Sequence, residues 1–161
     1  MSLQILNLRE APQFIPDIAD RLWHAWWRHD GHPLSAVVDA LNEVVAAADF
    51  PFTLVALQDG AFAGTVTAIA SDLDERPELG PWIAALWVEP ACRGTGIART
   101  LVEQATATMF AQGHRHVYLY AMPRLQPFYL GMGWNLREER FGKMGIDIYR
   151  RQAPHSAQPA G

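Results

Sequence analysis

The sequence predicts a single domain of mixed α/β architecture, and three observations carry that expectation. An apolar run, Ile83 to Val88, leads into the glycine-bearing turn Arg93-Gly94-Thr95-Gly96 and then into a stretch of helical period. The dipeptide Asp59-Gly60 separates two further apolar runs, Thr53 to Leu57 and Phe62 to Ala70, which is a hairpin signal. Strand-like and helix-like stretches alternate along 161 residues, a length that suits one domain with a full core.

Taken in order, Leu3 to Leu8 alternate loosely and form a first strand. Ile15, Ile18, Ala19, Leu22 and Trp26 recur at spacings of three and four, so residues 14–27 form an amphipathic helix that Gly31 and Pro33 break. Ser35 caps a second helix with the stripe Val38, Leu41, Val44, Val45 and Ala48. The hairpin follows, then a polar loop from Asp72 to Pro81. In the helix from Gly96 to about Gln112, Ile97, Leu101, Ala105 and Met109 make one inward stripe, and Gly113 ends it. Along the strand His116 to Met122, Val117, Leu119 and Ala121 point one way and Tyr118 and Tyr120 the other. Leu125 to Leu130 reads as a helical turn or two, and Trp134 to Arg140 and Met144 to Arg150 as a closing strand pair around Gly142. Residues 1–151 make the domain, and 152–161, rich in Ala, Pro and Gln, are expected to be a disordered tail.

Half of the residues are hydrophobic and 19% are charged, which separates the chain from disordered ones. A net charge of −4 leaves no basic footprint, so nucleic acid is not an expected partner. The one cysteine, Cys92, allows no internal disulfide. With neither a signal peptide nor a long apolar run, the expectation is a soluble cytoplasmic protein without a membrane partner.

The glycine turn carries the chemistry. A turn between strand and helix exposes backbone N–H groups at the positive end of the helix dipole, where a phosphate binds well. A Rossmann fingerprint would need a small residue where this chain has Arg99, and a P-loop would need Gly-Lys-Ser/Thr, which is absent. Arg93-Gly94-Thr95-Gly96-Ile97-Ala98 instead fits Q/R-x-x-G-x-G/A, and Phe128-Tyr129-Leu130-Gly131-Met132-Gly133-Trp134 fits F-Y-x-x-x-G-F/W downstream of it. In both motifs, and in the helix and strand between them, the chain resembles the GCN5-related N-acetyltransferases (GNAT) over roughly residues 54–150. The resemblance implies the GNAT acyltransferase fold, a twisted mixed sheet of six or seven strands flanked by about four helices. It also implies transfer of an acetyl group from acetyl-CoA to a primary amine by direct attack in a ternary complex, with no metal.

By that resemblance, the amides of Gly94, Thr95, Gly96, Ile97 and Ala98, with Arg93, hold the coenzyme A pyrophosphate. The edge Leu86-Trp87-Val88, splayed from its neighbour at a bulge, pairs with the pantetheine arm through main chain. An N–H near Leu86 or Val88 serves the oxyanion. Tyr129 stands where the family often places the acid for the leaving thiolate and also borders coenzyme A. A protonated amine of pKa ~10.4 is only about 0.1% neutral at pH 7, so a base is useful. Many relatives use a glutamate on the strand before the pyrophosphate loop, and none lies between Pro81 and Val88. Asp72 and Glu78, in the loop overhanging that strand, are the candidates, against a merely solvated loop. Met122 replaces a common family asparagine, and Pro123 to Gln126 replaces N-x-x-A.

Trp23, His24, Trp26 and Trp27 form an aromatic cluster in which helical spacing puts Trp23 and Trp27 on one face. These two are the candidates for acceptor binding, against core packing or a dimer contact. His29 and His32 lack the partners of a metal site, and Cys92 lies away from the thioester, so neither is expected to act. The partners expected are a small-molecule or peptide amine acceptor, with a homodimer left open. Two other readings remain: transfer of a different acyl group, and a coenzyme A-binding regulatory or sensor domain without turnover.

Overall fold

Asp59 and Gly60 both adopt positive φ, 51° and 83°, as the two central residues of a type I′ hairpin turn must. They join β2 (Phe52–Gln58) to β3 (Ala61–Ile69) in the computed structural model, which describes residues 2–154. The remaining strands are β1 (Leu3–Asn7), β4 (Trp82–Val88), β5 (His116–Ala121), β6 (Asn135–Phe141) and β7 (Ile146–Gln152). The helices are α1 (Ile15–Leu22), α2 (Leu34–Ala46), α3 (Ile97–Ala111) and α4 (Gln126–Gly131). One seven-stranded sheet has the order β1-β2-β3-β4-β5-β7-β6. Neighbours are antiparallel except β4 and β5, which run parallel and meet in register only at Trp82 and Tyr118. Beyond that pair the two strands part, and the sheet opens.

Strand alternation sorts the side chains onto two faces. Ile97, Leu101, Ala105 and Met109 of α3 are all buried, as their spacing predicts, and pack with Ile83, Val88, Val117, Leu119 and Tyr129 on one face. On the other face, α1 and α2 cover Val55 and Leu57, while Trp82, Tyr118 and Ile148 form a separate cluster nearer β7. Gly113, at φ 98°, closes α3 with a His114 N–H to Met109 C=O bond of 3.1 Å and a Gly113 N–H to Phe110 C=O bond of 3.0 Å.

Three local expectations need correction. Ser35 is not the cap of α2: the helix begins at Leu34 after Pro33, with no side-chain cap bond, because the proline already sets the extended entry. Its buried residues are Val37 and Leu41, and Ala48 lies past its end. The first helix does not run evenly to Trp27. It widens at Trp23–Trp27 into a π-helical turn, with Arg28 N–H bonded to Trp23 C=O at 2.8 Å. The final strand extends through Gln152, paired with His116, so the expected tail gives up its first residue; residues 155–161 lie outside the described part.

Gly64 shows how tightly β3 and β4 meet. A Cβ there would lie 2.9 Å from the Trp87 carbonyl oxygen and 3.2 Å from Leu101 Cδ1. Backbone cannot yield as a side-chain tip can, so Gly64→Ala is expected to cost about 1–3 kcal/mol of stability. A denaturant midpoint unchanged from the wild type would refute this.

Candidate active site

At the opening between β4 and β5 lies a cavity of about 1050 Å³ whose walls come from both faces of the sheet. Its origin is a bulge in β4. Thr65 pairs with Trp87 and Thr67 with Ala84, so two β4 residues, Ala85 and Leu86, oppose the single Val66. Ala85 takes φ 53°, a left-handed conformation that a non-glycine residue adopts at some cost. After the bulge, Glu89 donates its N–H to Ala63 C=O at 2.8 Å. Strand alternation then turns the backbone groups of Leu86 and Val88 away from β3, toward the opening.

On the α3 side, Gly94 (φ 78°) and Gly96 (φ 87°) form the turn, and nothing lies within 4 Å of where either Cβ would be. Both glycines, with Ile97 and Ala98, line the cavity at the start of a 15-residue helix. The unpaired N–H groups of that helix end and the open glycines fit a pyrophosphate. Thr95 is exposed and closes the turn by donating its hydroxyl to Cys92 C=O at 2.6 Å. The Arg93 guanidinium is already engaged: Nε donates to Val88 C=O at 2.9 Å and the group sits 4.8 Å from the Trp87 ring centre. It braces the end of β4, and the Arg93 amide donates to Pro90 C=O at 3.3 Å.

Tyr129 comes from α4 to the same cavity and is buried against Phe128 and Tyr149, with ring centres 4.9 and 5.4 Å away. Burial pushes its phenol up to about 12.

On the opposite face the cavity continues between α2, the π-helical turn and the 70–81 loop. Asp72 lines it, and burial alone pushes this carboxyl up to about 7. Tyr120 on β5 lies beside it, its phenol raised by burial and then by Asp72, Asp30 and Glu75. Thr53 and Thr67, both buried, share a 2.8 Å bond between their hydroxyls on the same wall. Trp26 and Trp27 also line this chamber, and the Trp26 ring meets Trp87 edge to face at 6.4 Å.

Not every expected residue arrives here. Glu78 is exposed and lies off the cavity wall. Trp23 is also off it: its indole N–H donates to His32 C=O at 2.7 Å, holding the loop after the helix. Trp23 thus packs toward the loop, and the chamber wall takes Trp26 and Trp27 from the same π-helical turn. Sequence reading missed Tyr120, Asp30 and the Thr53–Thr67 pair as site residues. For Tyr120 a signal existed, since its phase on the strand was opposite to the buried Val117, Leu119 and Ala121. For Asp30 there was none.

The geometry has a counterpart among known proteins. The Acetyltransferase (GNAT) family model matches residues 3–134. This chain belongs to the GNAT acetyltransferase family. A curated relative, serotonin N-acetyltransferase 2, chloroplastic, from Oryza sativa subsp. japonica, is 30% identical over 138 residues, covering 74% of this chain and 67% of the relative. Among solved structures, the GNAT-family acetyltransferase from Streptococcus pneumoniae aligns with a TM-score of 0.71 at 19% identity, covering 94% of this chain and 100% of its own. An aminoglycoside 6′-N-acetyltransferase complexed with coenzyme A aligns at 0.70 and 14% identity, covering 94% and 97%. These structural likenesses bear out the mixed α/β fold of the GNAT type. Among the described residues no helix is long and apolar enough to cross a membrane, and no group of three or more His, Cys, Asp or Glu side chains is placed to hold a metal ion.

Proposed function

We propose that this GNAT protein is an acetyl-CoA-dependent N-acetyltransferase acting on a primary amine carried by a small apolar or aromatic body. The observation that carries the reading is one continuous cavity with a phosphate-suited glycine turn at one end and a desolvated carboxylate, Asp72, at the other. Acetyl-CoA supplies the acyl group as a thioester. The amine nitrogen forms a bond to the acyl carbon, the carbon–sulfur bond breaks, and the displaced amine proton needs an acceptor. Asp72 fills that role, because a carboxylate near 7 is half ionised at neutral pH and is a stronger base than an ordinary aspartate. The N–H groups of Leu86 and Val88 face the developing oxyanion, and the Gly94–Ala98 turn holds the pyrophosphate.

The Tyr129 hydroxyl donates to the leaving sulfur. A phenol at about 12 is far weaker as an acid than a thiol near 8.5, so it acts more by hydrogen bonding than by full proton transfer. Tyr129→Phe is therefore expected to lower turnover about 10-fold to 10²-fold, toward the low end of general-acid effects, with coenzyme A affinity within a few-fold of wild type. Steady-state turnover equal to wild type would leave Tyr129 a packing residue.

The acceptor class follows from the chamber walls. Trp26, Trp27 and Tyr120 offer aromatic faces, and Asp30 and Asp72 attract a cation. The rice relative is named for serotonin, an aromatic primary amine, which supports the same class. Free-thiol release with phenethylamine, an aminoglycoside and a lysine-containing peptide tests it. A kcat/KM at least 10-fold higher for phenethylamine is expected, and equal or reversed values would overturn this acceptor class.

A further inference from the structure

The 70–81 loop that carries Asp72 is joined to the rest of the molecule by a specific device. Arg76 donates from Nε and Nη2 to the two carboxylate oxygens of Glu138 on β6, at 2.9 and 2.6 Å. Its guanidinium also lies 4.1 Å from the ring centre of Phe141, at the end of the same strand. The pair lowers the Glu138 carboxyl from its ordinary range, chiefly through the Arg76 hydrogen bonds. Leu73 and Leu79, on either side of Arg76 in the loop, pack with Ile146, Ile148 and Phe141 of the hairpin. The β6–β7 turn beyond Phe141 brings Met144, 70% exposed, to the cavity that Asp72 lines. Loop and hairpin are thus two walls of one chamber, fastened by a planar bidentate contact that lysine could not reproduce.

We propose that Arg76 is a positioning residue for the reaction: its clamp on Glu138 and Phe141 holds the 70–81 loop closed over the chamber and so sets both the place and the desolvation of the Asp72 carboxylate. This rests on Asp72 serving as the base. The charged and titratable groups facing Asp72 across the chamber are Tyr120 from β5, Asp30 and His32 after the π-helical turn and Arg124 before α4, with Glu75 on its own loop. Burial is the cause of its raised pKa, so access of water is what a loosened loop would change.

The test is the pH dependence of kcat/KM for thiol release with phenethylamine in the wild type, Arg76→Gln, and the charge-swapped pair Arg76→Glu with Glu138→Arg. In the wild type, activity rises through a limb near pH 7. In Arg76→Gln the limb is expected at least one pH unit lower, as the carboxyl returns toward its ordinary range, with the plateau reduced about 10-fold. The swapped pair is expected to restore both in large part. Unchanged coenzyme A affinity by calorimetry shows that each variant is folded and that the glycine turn is intact. A limb and plateau in Arg76→Gln that match the wild type would overturn the positioning role while leaving the acetyltransferase reading intact. A wild type that binds acetyl-CoA but releases no thiol with any amine would overturn the acetyltransferase reading itself, and the clamp's role with it.

Discussion

Gly96→Asp is expected to abolish acetyl-CoA binding while the fold persists. Gly96 caps α3 at φ 87°, and a Cβ placed there meets nothing within 4 Å, so the protein bears only the strain of a left-handed aspartate, about 1–2 kcal/mol. The open space is the space the phosphates need. A carboxylate brought to about 4 Å from a phosphate charge costs about 4 kcal/mol at an effective dielectric of 20, equivalent to roughly a 10³-fold loss of affinity from one pair of charges. Isothermal titration calorimetry gives the answer directly. Wild-type affinity in a folded Gly96→Asp protein would mean that the pyrophosphate binds elsewhere.

Asp72→Asn is expected to act in opposite directions on activity and stability. Without the carboxylate, turnover at pH 7 falls about 10²-fold, and much of that returns near pH 9 to 10, where each pH unit makes ten times more of the amine neutral. Stability moves the other way. The folded carboxyl titrates near 7 rather than 3.8, so the folded state holds a proton that the unfolded state releases, and wild-type stability falls as pH rises from about 4 to about 7. Above pH 7 the cost of the buried charge is fully present, and asparagine removes it. The variant should therefore exceed the wild type in stability at pH 8 by at most about 4 kcal/mol, at 1.36 kcal/mol per unit over roughly three units, and match it at pH 4. Glu78→Gln, a change on the exposed part of the loop, should alter neither profile. Denaturant melts at the two pH values and a pH–rate series decide this; a stability difference that is the same at pH 4 and pH 8 would show that Asp72 is not desolvated.

What the sequence made legible is what short-range rules govern. The Asp59-Gly60 turn, the α3 stripe from Ile97 to Met109, its Gly113 stop and the alternation of Val117 to Ala121 all follow from local period and backbone freedom, and all recur in the structure. The glycine turn could be placed for the same reason. The π-helical turn could not, because a wider turn within a run of tryptophans leaves no mark in composition. Asp72 could be named but not chosen over Glu78, since two carboxylates of one loop differ only in what packs over them. Arg76 carried no motif; its partner Glu138 lies 62 residues away, and only the fold brings them together.

The most direct test of the acetyltransferase reading is mass analysis of tryptamine incubated with the protein and acetyl-CoA, with free thiol counted alongside. The expected result is N-acetyltryptamine and free thiol in equal amounts, both lost in Gly96→Asp. Tight coenzyme A binding with neither product nor thiol, for tryptamine and for every other amine offered, would contradict it and leave a coenzyme A-binding domain without turnover.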